Sequence, residues 1–104
     1  MTHEQYLERF RGTAVRRAKL WMLQRNAAVA LGNTGGAEAI EPLVGAMTTN
    51  LEPIVRGHAA WAIGRIGNRL ERAEVVKLLQ AALEAEGDET VREEIEAAIQ
   101  ESKG

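Results

Sequence analysis

Cysteine is missing from all 104 residues of the chain. Its absence excludes disulfides, thiolate metal sites, iron–sulfur clusters and a cysteine nucleophile from this polypeptide. It is also compatible with a cytoplasmic setting, which is the expected location. Histidine is scarce, with only His3 and His58. No HExxH, phosphate loop or nucleophile elbow occurs. No catalytic residue and no metal-ligand set is therefore assigned, and the chain is not expected to be an enzyme by itself. Aromatic residues are 4 % of the chain although 45 % of it is hydrophobic. Alanine fills much of that gap, which suits helices whose backbones approach closely. Alternating β-branched runs are missing, so no strand is expected. No apolar run approaches the roughly 18 residues a membrane span needs. The opening MTHEQYLERF carries acids and no apolar centre, so it does not read as a secretion signal.

What the chain does have is repetition. LQRNAAVALGNTGG at 23–36 returns 32 residues later as VRGHAAWAIGRIG at 55–67, and a degraded copy begins at Val91 as VREEIEAAIQE. Self-similarity at this period predicts an all-α, HEAT-like helical repeat solenoid of two and a half repeats and five to six helices, in which each repeat covers its neighbour's apolar face. The expected organisation of this single domain is a leading helix at 1–12, repeat 1 at 13–50, repeat 2 at 51–88 and a capping helix at 89–104.

Helical spacing supplies the details. Tyr6, Leu7 and Phe10 mark the leading helix, and a second helix runs over roughly 14–31. Ala39, Ile40, Leu43, Val44 and Met47 form one face of a third helix, with Pro42 early enough to be tolerated. Pro53 suits the first position of a fourth, which buries Val55, Ala59, Ala60, Ala62, Ile63 and Ile66. A fifth runs over roughly 72–85. Asp88 caps a last helix that turns Val91, Ile95, Ala98 and Ile99 inward and glutamates outward. Gly32, Gly64 and Gly67 read as helix terminators, Gly32 needing positive φ.

The formal net charge of −2 conceals an asymmetry. Residues 1–69 hold nine Lys and Arg against five acids, whereas residues 70–104 hold four against ten. A polyanion-facing first half and a solvated acidic second half would have this pattern. Arg9, Arg11, Arg16, Arg17 and Lys19 cluster within eleven residues, with Arg25 further along, and arginine suits bidentate phosphate contacts. Arg56 and its counterpart Arg92 stand at helix starts, where such an arginine also commonly bonds the neighbouring repeat's turn. His58 has two readings, a partner contact or a partly buried hydrogen-bonding histidine. Trp21 and Trp61 could stack on a base, but helix-spaced tryptophans are more often packing residues.

These residues carry a family resemblance. Phe10-Arg11-Gly12-Thr13, Arg17-Ala18, Arg25-Asn26-Ala27-Ala28-Val29-Ala30-Leu31-Gly32-Asn33 and Val55-Arg56-Gly57-His58-Ala59-Ala60-Trp61-Ala62 resemble the C-terminal HEAT-like repeat domain of the epoxyqueuosine reductase family, bacterial enzymes of the last step of queuosine biosynthesis in tRNA. The resemblance covers nearly the whole chain. Leu20-Trp21-Met22 departs from it, standing where the family usually has a more basic, glycine-containing stretch. The resemblance implies a non-catalytic domain that grips the tRNA anticodon stem-loop while a catalytic domain receives the flipped base. Arg11, Arg17, Arg25, Asn26, Arg56 and His58 carry over as tRNA-binding candidates, with Arg16, Lys19 and Arg65 as electrostatic support. The resembled full-length enzyme uses cobalamin and two 4Fe–4S clusters, and this cysteine-free chain is expected to hold no cofactor. An iron–sulfur catalytic domain or another protein is an implied partner, a membrane is not, and a monomer is expected. The alternative function is a HEAT-repeat protein–protein interaction module, which a contiguous apolar surface would favour.

Overall fold

The computed structural model describes residues 22–104, and every regular element among them is helical. Helix α1 covers 22–34. A single 3-10 turn, Ala37–Ala39, leads into α2, Ile40–Thr49. Helices α3, Pro53–Arg69, α4, Glu74–Ala85, and α5, Glu89–Ser102, follow. The expected leading helix with Tyr6 and Phe10, the start of the second helix, Trp21, and the cluster Arg11, Arg16, Arg17 and Lys19 lie outside the described residues.

Helices α1, α3 and α5 form one layer, and α2 and α4 pack behind it. Helix α3 makes its most extensive contact with α5 and the next with α2, while α4 packs mainly on α5. The arrangement is an all-α repeat solenoid. Its core follows the 3.6-residue spacing. Leu43 and Met47 of α2, Val55, Ala59, Ala60, Ala62, Ile63 and Ile66 of α3, Val75 and Leu79 of α4, and Val91, Ile95, Ala98 and Ile99 of α5 are all buried. Each large member, such as Ile63 or Ile95, contributes about 1.5–3 kcal/mol by leaving water. Pro53 occupies the start of α3, where a missing N–H costs nothing. The Asp88 side chain accepts from Val91 N at 3.0 Å and caps α5.

The three glycines expected to end helices do not. Gly32 lies inside α1, which continues through Thr34, and Gly64 and Gly67 lie inside α3, which continues to Arg69. None of the three has positive φ. They are crossing points between helices. A Cβ on Gly32 would stand 2.6 Å from Trp61 Cζ3 and 3.0 Å from Ala62 Cα. One on Gly64 would stand 2.7 Å from Ala98 O, and one on Gly67 would overlap Val75. The chain leaves α3 through Glu71, at φ 55°, with Arg72 N donating to Gly67 O at 2.8 Å. A non-glycine residue thus takes the left-handed position. Helix α4 starts at Glu74 rather than 72, because Arg72 and Ala73 form its capping turn.

A row of polar side chains fixes the repeats in register. Asn50 Nδ2 donates to Gln24 Oε1 at 3.2 Å. Arg56, at the position equivalent to Gln24, donates from Nη1 to Asn50 O at 2.9 Å. It also grips Glu86 through two parallel bonds, Nε to Oε2 at 2.8 Å and Nη2 to Oε1 at 3.0 Å. Arg92, the next equivalent, donates from Nη1 to Leu83 O and Glu86 O. Asn50 and Glu86 match as well, since each accepts from the backbone N–H two residues on, that of Glu52 and that of Asp88. Arg69 adds a clamp on α1. Its guanidinium donates to Gly32 O at 2.8 Å, to Asn33 O at 3.2 Å and to Gly35 O, satisfying carbonyls that a helix end leaves open.

The Arg56 and Glu86 side chains are only 16 % and 7 % exposed. The hydrogen bonds from Arg56, aided by the Asp88 and Gly87 N–H groups, hold the Glu86 carboxyl below the usual carboxylate range against the opposing effect of burial. The same bonds raise Arg56. A depressed folded value means that the unfolded chain binds the proton more readily. The stabilisation is complete above the unfolded carboxyl's pKa of about 4.3 and is lost as pH falls through the lower folded value.

Two predictions follow from this packing. Gly64→Ala forces α3 from α5 and costs about 1–3 kcal/mol, whereas Gly45→Ala, where a Cβ meets nothing within 4 Å, stabilises α2 by about 0.5–1 kcal/mol. Urea melts of both variants check the contrast. Glu86→Gln loses about 2 kcal/mol near neutral pH and flattens the acid end of the stability–pH profile. Parallel profiles for variant and parent would contradict the role given to the pair.

Candidate nucleic-acid interface and adjoining groove

Arg25 and Asn26 sit on the first described turns of α1, where Arg25 Nη2 donates to Asn26 Oδ1 at 3.3 Å. Asn26 is exposed and Arg25 partly so. Described residues 22–34 contain this arginine and no acid. Ala27, Ala30 and Asn33 are exposed beside them, as is Leu23 at 67 %, so this edge presents small and apolar groups and no carboxylate of α1.

The other three described candidates all lie on α3, but on two different sides. Arg56 points to the turns at Asn50 and Glu86 and is committed to the polar row. His58 and Arg65 share the opposite stripe with Trp61, at the helical spacing of i, i+3 and i+7. The Arg65 guanidinium lies over the Trp61 ring at 5.5 Å from its centroid, a cation–π contact. Arg65 Nη1 also reaches Glu101 Oε1 at 3.7 Å, a half-exposed and therefore weak ion pair. His58 Nδ1 stands 2.8 Å from Ile54 O. The carbonyl can only accept, so Nδ1 carries the hydrogen of this bond. The structure thus brings His58, Trp61 and Arg65 together, brings Arg25 to Asn26, and keeps Arg56 apart from both groups.

Sequence reasoning missed a groove of about 560 Å³ beside that stripe. Val29 of α1, Ile54, His58 and Trp61 of α3, and Val91 and Glu94 of α5 line it. Gly57 opens its floor, since a Cβ there would touch Glu94 Cγ at 3.4 Å. The available signal was Ile54, an apolar residue just before the buried Val55 and itself 39 % exposed. Sequence reasoning also missed Arg69 as a clamp. A basic residue in the last turn of a helix is a usable sign of carbonyl capping. Among the described residues no group of three or more His, Asp or Glu is placed to hold a metal ion.

Comparison with known proteins agrees with this architecture. The HEAT-repeat family matches residues 10–100. The chain is 44 % identical over 78 residues to a Geobacillus stearothermophilus protein known as "Uncharacterized protein in gldA 3'region", covering 75 % of this chain and 34 % of that one. It is 42 % identical over 78 residues to epoxyqueuosine reductase of Bacillus subtilis, covering 75 % of this chain and 19 % of the enzyme. Among solved structures, it matches a crystal structure of epoxyqueuosine reductase with a tRNA-Tyr epoxyqueuosine-modified tRNA stem loop. That match has a TM-score of 0.70 and 40 % identity, and covers 77 % of this chain and 20 % of the other. The chain therefore spans between a fifth and a third of the relatives it matches. It belongs to the HEAT-repeat family and is homologous, over 75 % of its length, to a segment of epoxyqueuosine reductase.

Proposed function

We propose that this chain is a non-catalytic domain that grips the anticodon stem-loop of a tRNA, with the chemistry supplied by an iron–sulfur catalytic domain elsewhere. The observation that carries this reading is its likeness, at 40 % identity, to a segment of an enzyme whose crystal structure includes a tRNA stem loop. The acid-free, arginine-bearing edge of α1 supports it. Arg25 and Asn26 contact the backbone there, and Arg11, Arg16, Arg17 and Lys19 extend the positive charge along the chain. Arg65 contributes from its exposed side, and His58 contributes where the groove meets that edge. Arg56 acts indirectly, by holding α3 in register. The chain holds no cofactor of its own and works in the cytoplasm, and no described helix is long and apolar enough to cross a membrane.

Phosphate contacts release counterions, so affinity for an anticodon stem-loop falls steeply between about 50 and about 200 mM salt. Fluorescence anisotropy of the chain with the stem-loop of a queuosine-type tRNA reads this directly. Charge reversal at both Arg17 and Arg25 weakens binding by about tenfold or more while circular dichroism keeps its helical signal. Salt-independent affinity, or affinity unchanged by the reversal, would contradict the proposal.

A further inference from the structure

The groove between α1, α3 and α5 has a chemistry opposite to that of the α1 edge. Its floor is apolar, made by Val29, Ile54, Trp61 and Val91. Its polar rim offers acceptors and negative charge. Glu94 is exposed, and Asp88 caps α5 through one carboxylate oxygen. Among the described residues no Lys or Arg lines it. The start of α5 contributes the equivalent of about half a positive charge, and the full charges of Asp88 and Glu94 outweigh it. A phosphate backbone is repelled by such a rim. Pro53 and Ile54, the latter 39 % exposed, extend the apolar lining to the start of α3. An apolar floor of this size bordered by two carboxylates suits a polypeptide segment that carries apolar and cationic side chains together.

We infer that this groove is a docking site for a cationic amphipathic segment of a protein partner, one that places apolar side chains on Ile54, Trp61 and Val91 and Lys or Arg side chains on Asp88 and Glu94. The warrant is charge complementarity combined with an apolar floor. Apolar anchors supply most of the affinity, and the rim charges set specificity and association rate. This inference does not rest on the tRNA reading, because it uses the apolar floor with Asp88 and Glu94 and neither Arg25 nor Asn26; the two share only His58.

The test is a nitrogen-15 NMR titration of the 104-residue chain with a short Leu/Lys amphipathic peptide. Two control peptides accompany it, a Ser/Lys peptide of equal charge and a Leu/Glu peptide. The Leu/Lys peptide shifts the signals of Gly57, the Trp61 indole, Thr90 and Glu94, and neither control does. Glu94→Lys, at an exposed position, and Gly57→Leu, which fills the floor, each weaken binding by about tenfold. Circular dichroism confirms that the variants fold, and Glu94→Lys alone suffices if Gly57→Leu does not. Equal binding of the Ser/Lys peptide, no effect of Glu94→Lys, or no binding at all would overturn the inference. So would displacement of the peptide by the anticodon stem-loop with the same signals shifted, which would assign the groove to RNA.

Discussion

The Arg56–Glu86 pair is the interaction on which the rest of the arrangement depends. It joins the start of α3 to the turn between α4 and α5, and the same guanidinium holds Asn50 O in the turn before α3. Two turns and one helix start thus share a single planar group, whose geometry fixes distance and angle together. One side of the row begins with the neutral Gln24–Asn50 bond, and the other ends on carbonyls held by Arg92. Exchanging a neutral pair for an ionic one places the most directional contact at the centre of the molecule. The position of His58, Trp61 and Arg65, and hence of the groove, follows from how α3 is seated by that contact.

Packing then decides which faces are left for partners. Glycines at crossings let α3 lie close to α1 and α5, and that closeness buries Ala59, Ala60 and Ala62 of α3. A solenoid built this way presents long helix edges rather than an enclosed cavity. One edge, along α1, carries arginine and no acid. The opposite side, on α5, carries Glu94 and Glu101. The charge asymmetry along the chain therefore becomes an asymmetry across the layer, and the shallow groove lies where the two meet.

Much of the fold was legible because burial obeys a local rule. The inward positions of α2, α3 and α5, the first-position Pro53 and the Asp88 cap all follow from spacing and residue type within one or two turns. Gly32, Gly64 and Gly67 were misread for a physical reason. A glycine near a helix end looks the same whether it supplies positive φ or admits another helix, and the residues that decide, Trp61, Ala98 and Val75, are distant in sequence. Glu71 in the left-handed position carries no compositional mark at all. The site was less legible than the fold. Repeat alignment pointed to Arg56 and Arg92 as turn-binding residues, yet their partners Asn50 and Glu86 became visible only in three dimensions. The groove was not legible, because it is a property of three helices at once.

The central claim is that the acid-free edge of α1 meets RNA and the acidic side of α5 does not. The most direct measurement is the set of amide shifts in the labelled chain on titration with an anticodon stem-loop. The account predicts that shifts gather on Arg25, Asn26, Ala30 and Asn33 and are absent from the outer face of α5 at Glu93, Glu96 and Gln100. Shifts centred on α5, or none on α1 while binding is observed, would contradict it.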